Sequence, residues 1–237
     1  LSEKMSPKEN FDFLNACLSQ ISPVIRNHNG FIDKYIGDAI MALFPQTPDD
    51  AVQAAIDMQK QVMLYNSYLQ KSGGQPIAIG IGLHTGTLML GTVGESERME
   101  TTVIADAVNL ASRLEGLTKT YGVDILISEQ TQKRLNPQLQ ENCRFLGRVK
   151  VKGKSQAVDI FEVYDSNIQQ IIDLKRQTRA DFEQGVNFFV EEKFAQSEQI
   201  FQQVLQRNKQ DRVAQLYIER CKQGQIFNSE LNVITKT

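Results

Sequence analysis

Residues 31–44 read FIDKYIGDAIMALF. Two short apolar runs, Gly30–Tyr35 and Ala39–Phe44, flank Gly37-Asp38, a pair that suits the tight turn of a β-hairpin. The turn presents the Asp38 carboxylate at a strand end. A lone turn aspartate is usually structural, and Lys34 in a strand is usually a solvated edge charge. Upstream, Phe11, Leu14, Leu18, Ile21 and Ile25 recur at spacings of three and four, which predicts an amphipathic helix over 8–27. Ser6, Pro7 and Glu9 supply a capping hydroxyl, a proline for the first helical position and a reciprocal carboxylate. Asn29-Gly30 ends that helix. Downstream, Pro45 and Pro48 break the chain, and 49–70 reads as a second helix with Val52, Ala55, Ile56, Met63 and Leu64 near one face, ended by Gly73-Gly74.

The pattern continues in mixed fashion. Ile77–His84 and Leu88–Thr92 read as adjacent strands, 106–118 as a helix, 124–128 as a strand and 129–135 as a short helix. The runs 143–151 and 157–164 alternate around Lys152-Gly153-Lys154 as a hairpin. Hairpins mixed with helices predict an α+β fold with helices over a mostly antiparallel sheet.

Composition narrows the function classes. The 237 residues carry 26 basic and 28 acidic side chains, a formal net charge of −2, and 41% hydrophobic residues, which fits a folded chain rather than a disordered one. The near-neutral balance argues against a dedicated nucleic-acid binder. No apolar run approaches the roughly 18 residues that span a bilayer. Leu1 opens a polar segment rather than an apolar one, so no signal peptide is expected in this stretch, and since the first residue is not methionine the chain is expected to be a piece of a longer one. Its expected place is the cytoplasm, free or as the cytoplasmic part of a larger membrane-linked protein. Cys17, Cys143 and Cys221 are far apart, odd in number and lack a Cys-x-x-Cys pair, so reduced thiols are expected rather than disulfides or zinc.

From 166 onward proline disappears and Gln, Glu and Lys accumulate. Helices are expected over 167–191, 193–208 and 211–223. Gly185, Phe188, Phe194 and Phe201 fall at spacings similar to one degenerate tetratricopeptide unit, with Ser197 and Lys209 departing from it. One such unit cannot bury its own faces and must pack on something. The expected boundaries are therefore a first domain over 1–165 and a helical, tetratricopeptide-like tail over 166–237.

Two further stretches bear on chemistry. Residues 100–115, ETTVIADAVNLASRLE, take helical period from Asp106. Asp106, Asn109 and Arg113 then share one face, beside an apolar stripe of Ala107, Leu110, Ala111, Leu114 and Leu117. An amide and a guanidinium are thus displayed together next to a buried face. By itself this reads as a solvated face. Residues 148–154, RVKVKGK, place basic side chains around a turn, either as a solvent face or as a phosphate site. Gly80, Gly82, Gly86, Gly91 and Gly94 form no phosphate-loop motif and are read as aids to turns and close packing. His28 and His84 stand apart, without a metal-ligand pair.

Taken together, the DKYIGDA and AVNLASR motifs with their intervening spacing resemble the catalytic domain of class III nucleotidyl cyclases, over residues 1 to about 164. The resemblance is to a bacterial, cyanobacterial-like variety. It implies conversion of ATP to cyclic AMP and pyrophosphate, Mg2+ or Mn2+ as a metal pair, and a homodimer whose sites draw on both protomers. An upstream sensory or regulatory domain in the parent chain is also implied. By position, Asp38 matches a metal aspartate, Arg113 the transition-state arginine and Asn109 the ribose-orienting asparagine. Lys152 matches the lysine of the terminal phosphates, and Lys34 and Thr102 match the base-selecting pair. Lys34 only donates hydrogen bonds and Thr102 can accept one, which suits N1 and the C6 amine of adenine; guanine reverses both. Guanylate cyclases of the family place a glutamate at the Lys34 position.

The chain also departs from the family pattern. The second metal aspartate lies on a first strand just ahead of a Leu-Ser-Glu-like helix entry, and this sequence begins at Leu1-Ser2-Glu3. The fold is therefore expected to lack its first strand as given, and the fragment is expected to have little activity without that aspartate. Two other readings stay open. One is a guanylate or other nucleotide cyclase. The other is a catalytically silent nucleotide-binding or dimerisation module.

Overall fold

In the computed structural model, which describes residues 6–95, 98–104, 106–150 and 157–224, Ser6 opens the first helix. That helix, α1 (Pro7–Asn27), starts with a complete capping box: the Glu9 amide donates to Ser6 Oγ and the Ser6 amide to Glu9 Oε2. The chain then turns through Asn29, at φ 60°, into strands β1 (Phe31–Ile36) and β2 (Ala39–Leu43). These pair antiparallel across the two-residue turn Gly37-Asp38. Gly37 takes φ 64°, the positive value that the first central position of a type II′ turn requires. Helix α2 (Pro48–Lys71) begins with a second capping box, between Thr47 and Asp50.

The α2 stripe that is buried runs through Val52, Ala55, Ile56, Gln59 and Val62 to Leu69, while Met63 and Leu64 are exposed. His28 joins the end of α1 to α2 through Asp57, Nε2 to Oδ2 at 3.0 Å. These elements make up one of two compact units, Leu1–Ile79 and Gly80–Thr237.

The second unit holds β3 (Ile81–Leu83), β4 (Met89–Glu95), β5 (Arg98–Ile104), α3 (Asp106–Tyr121), β6 (Ile125–Ser128), α4 (Glu129–Gln132), α5 (Pro137–Glu141), β7 (Cys143–Lys150) and β8 (Ala157–Val163). Its main sheet has the order β3-β6-β8-β7, with β3 and β6 parallel and the other neighbours antiparallel. Two sequence expectations change here. Ile77–His84 was expected as one strand beside 88–92, but only Ile81–Leu83 is strand, and β4 pairs instead with β5. Residues 77–79 are not free to join a ladder, because side-chain amides of α2 hold them. Asn66 takes both the amide and the carbonyl of Ile77, and Gln59 donates to the Ile79 carbonyl. The helix expected over 129–135 also stops early, at Gln132, and an unexpected helix α5 follows, with Pro137 at its favoured first position.

Three helices follow, α6 (Gln169–Val190), α7 (Phe194–Arg207) and α8 (Arg212–Lys222), within two residues of the expected bounds. They pack on the sheet rather than standing apart from it. One apolar cluster joins Leu114 and Leu117 of α3, Leu146 of β7 and Ile160 of β8 to Phe182, Phe201 and Tyr217 of the tail. Gly185 lets the Phe201 ring approach: a Cβ there would sit 2.9 Å from it, and Ser197 Oγ donates to the Gly185 carbonyl.

A charged network lies inside this junction. Arg144 of β7, 1% exposed, donates from Nε to Glu162 of β8 at 2.6 Å and in bidentate fashion to Asp211 at 2.5 and 3.1 Å. Lys175 of α6 reaches the other oxygen of Glu162. Asp211 also caps α8 by accepting from the Ala214 amide. Burial opposes charge on both carboxyls, but Arg144 and Lys175 outweigh it and hold both below the ordinary carboxylate range. Tyr217 Oη donates to the Leu146 carbonyl at the β7 bulge, where Gly147 takes φ 121°. Cys17, Cys143 and Cys221 are free and buried, and burial pushes the Cys143 thiol up to about 12. No helix among the described residues is long and apolar enough to cross a membrane.

Candidate active site

The candidate residues sit on three kinds of local structure. Asp38 is at the exposed tip of the β1–β2 hairpin, where Gly37 permits the turn. Lys34 lies on β1 of the same hairpin, its side chain 38% exposed and its Nζ 3.3 Å from Asp33 Oδ2. Asp33 is the extra residue of a β-bulge: Ile32 pairs with Ala42 and Lys34 with Met41, which leaves Asp33 without a cross-strand partner. Sequence reasoning passed over Asp33, because a bulge is a matter of register between strands and leaves no mark in composition.

Asn109 and Arg113 stand on α3, one turn apart and both exposed, in line with Asp106. Leu110, Leu114 and Leu117 are buried on the adjoining face, as the helical period requires. The helix lies directly on β3: a Cβ at Gly82 would run into the backbone of Ala111, Leu114 and Glu115. Glycine at 82 therefore sets how closely the Asn109–Arg113 face is held to the sheet. Gly82→Ala is expected to destabilise the fold by about 1–3 kcal/mol through overpacking. Urea denaturation reads this directly, and an unchanged midpoint would contradict the close approach.

Thr102 lies on β5, in register with Gly91 of β4. Lys152 lies outside the described residues, in the connection between β7 and β8. On β7, Arg148 pairs with its cross-strand neighbour Asp159, Nε to Oδ1 at 2.6 Å. Lys34 and Asp38 thus share one hairpin of the first compact unit, and Thr102, Asn109 and Arg113 belong to the second.

His84 is less isolated than its sequence context implies. Its Nδ1 is 2.7 Å from Ser128 Oγ, and Ser128 and Thr85 both meet Thr131. A Cβ on Gly86 would touch both the His84 ring and Ala107, so this hydroxyl cluster backs the first turn of α3.

The donor set bears on metal binding. Asp38 offers one carboxylate. Among the described residues no group of three or more His, Cys, Asp or Glu side chains comes together to hold an ion. One carboxylate does not make a two-metal site, so the described residues do not by themselves fit a metal pair.

Residues 1–164 match the model of the adenylate and guanylate cyclase catalytic domain. An adenylate cyclase of Anabaena cylindrica is 48% identical over 169 residues, covering 69% of this chain and 34% of that protein. A terminal-differentiation specific adenylate cyclase of Dictyostelium discoideum is 36% identical over 231 residues, covering 94% of this chain, tail included, and 11% of that protein. A bacterial light-regulated adenylyl cyclase has a similar structure, with a TM-score of 0.63 at 27% identity over 74% of this chain and 52% of the other. The chain belongs to the class III nucleotidyl cyclase family, as a catalytic domain of the bacterial type. It spans about a third of the Anabaena relative and about a tenth of the Dictyostelium one.

Proposed function

We propose that this chain is the catalytic part of an adenylate cyclase that makes 3′,5′-cyclic AMP and pyrophosphate from ATP. The observation that supports it best is the exposed Asn109–Arg113 face of α3, held on the sheet by a buried leucine stripe in a chain of this family. In the reaction the ribose 3′-oxygen attacks the α-phosphorus and loses its proton, a new P–O bond forms, and pyrophosphate leaves. Arg113, with planar donors, suits the charge that builds on the phosphoryl oxygens. Asn109 orients the ribose, Lys152 binds the terminal phosphates, and Lys34 and Thr102 select adenine through a donor and an acceptor. A Mg2+ or Mn2+ pair would supply further charge neutralisation, with Asp38 as one ligand. No step is assigned to it, because one carboxylate does not complete such a site.

The assembly we infer is a homodimer with two equivalent sites. Sedimentation of an active preparation as a monomer is the result that would exclude it. The tail resembles a partner-binding repeat in its spacing, but much of its aromatic surface is spent on the sheet, which favours a structural cap.

Lys34→Glu tests the reading of the substrate. Glutamate accepts where lysine donates, so kcat/KM for ATP should fall relative to GTP by about tenfold or more, the worth of one hydrogen bond to a charged group. An unchanged ATP-to-GTP ratio would reject the assignment and raise the alternative of another nucleotide cyclase. Absence of turnover with any nucleoside triphosphate in the full chain, with binding retained, would favour a silent nucleotide-binding module.

A further inference from the structure

We infer that Asp33 is a positioning residue for Lys34 and thereby a determinant of base preference; the inference rests on the base-selecting reading of Lys34 given above. Successive side chains of a regular strand point to opposite faces, so neighbours in sequence do not ordinarily meet. In β1 they do. The bulge between Ile32 and Lys34 takes Asp33 out of the pairing with β2 and brings its carboxylate to the ammonium next door, Oδ2 to Nζ at 3.3 Å.

The two groups differ in surroundings. The Asp33 side chain is 7% exposed, while that of Lys34 is 38% exposed. Asp33 Oδ2 accepts no hydrogen bond from any described residue, so the contact with Lys34 is a charge held close to an ammonium without hydrogen-bond alignment. A buried carboxylate is held in place by its packing, whereas a lysine head on four methylenes is not. The carboxylate is therefore the fixed partner. It restricts where the ammonium can sit. A carboxylate oxygen that accepts no hydrogen bond is also an unfavourable thing to bury, and its most direct use in this hairpin is to act on the cation beside it.

The test compares Asp33→Asn with Lys34→Glu and the unaltered full chain. The readouts are kcat and KM for ATP and for GTP, with thermal unfolding alongside. Asparagine keeps the shape and removes the charge. Asp33→Asn should leave the unfolding temperature unchanged or raised, because a buried charge is gone. It should lower the ATP-to-GTP ratio of kcat/KM by about tenfold, mainly through a higher KM for ATP, and Asp33→Glu should restore part of that loss. A ratio within about twofold of the unaltered chain, while Lys34→Glu shifts it, would overturn the inference and leave the reading of Lys34 standing. A ratio unmoved by either substitution would overturn both. Should Asp33→Asn fail to fold, Asp33→Ser carries the same comparison, and an unmoved ratio there overturns the inference equally.

Discussion

Arg113→Ala is expected to lower turnover of ATP by about two to three orders of magnitude, the usual effect of deleting one donor aimed at developing charge. The expectation depends on where the residue stands. Arg113 is on the exposed face of α3, and the helix is held by the adjoining buried stripe of Leu110, Leu114 and Leu117. Alanine is the best helix former, and surface substitutions of this kind usually change stability by no more than about 0.5 kcal/mol. A fall in kcat with an unchanged unfolding midpoint would therefore report on chemistry rather than folding. Steady-state kinetics of the full chain, with denaturation run on the same preparation, separates the two. Near-normal turnover would exclude the transition-state role.

Arg144→Ala is expected to have the opposite profile, with its first effect on stability. The substitution leaves Glu162 and Asp211 buried, 2% and 0% exposed, with Lys175 in direct contact with Glu162 and acting on Asp211 only from a distance. Breaking a buried pair from one side typically costs about 3–5 kcal/mol. It also removes the cation that lies 4.1 Å over the Phe182 ring. The loss should appear as a shifted denaturation midpoint and as faster amide exchange in α8, whose N-cap is Asp211.

The pH dependence carries a second signature of the same network. Glu162 and Asp211 titrate below their ordinary range in the folded chain. The unfolded chain therefore binds more protons around pH 4. The network's contribution is full above the ordinary carboxylate range and is lost as pH falls through the lower folded values. In Arg144→Ala that acid-side loss should shrink, because the main cause of the depression is gone. An unaltered acid dependence would mean that Arg144 does not hold these carboxyls down.

The parts of the fold that were legible in the sequence are those written in local chemistry. Ser6 with Glu9 marks the start of α1, Gly37-Asp38 marks the hairpin turn, and the spacing of Leu110, Leu114 and Leu117 marks the buried side of α3. Each depends on partners within a few residues, so neighbours in the chain suffice to define it. Where that condition failed, the reading failed with it. Ile77–Ile79 has the composition of a strand, yet amides from Gln59 and Asn66 occupy its backbone. Residues 98–104 pair with β4 although no strand was expected there. β-propensity describes how a residue fits a pleated surface, and the chain does not say locally which surface is offered.

By itself, then, the sequence determined the α+β class, the helix entries, the hairpin at 31–44 and the motifs that place the chain among class III cyclases. Only the tertiary structure decided which charges meet. Arg144 finds Asp211 across 67 positions of chain, the backbone of α3 comes down onto Gly82, and a one-residue bulge turns Asp33 toward Lys34. Local patterns follow from short-range hydrogen bonding and the 3.6- and 2-residue periods. These meetings follow from strand register and packing, which depend on how distant segments fit together.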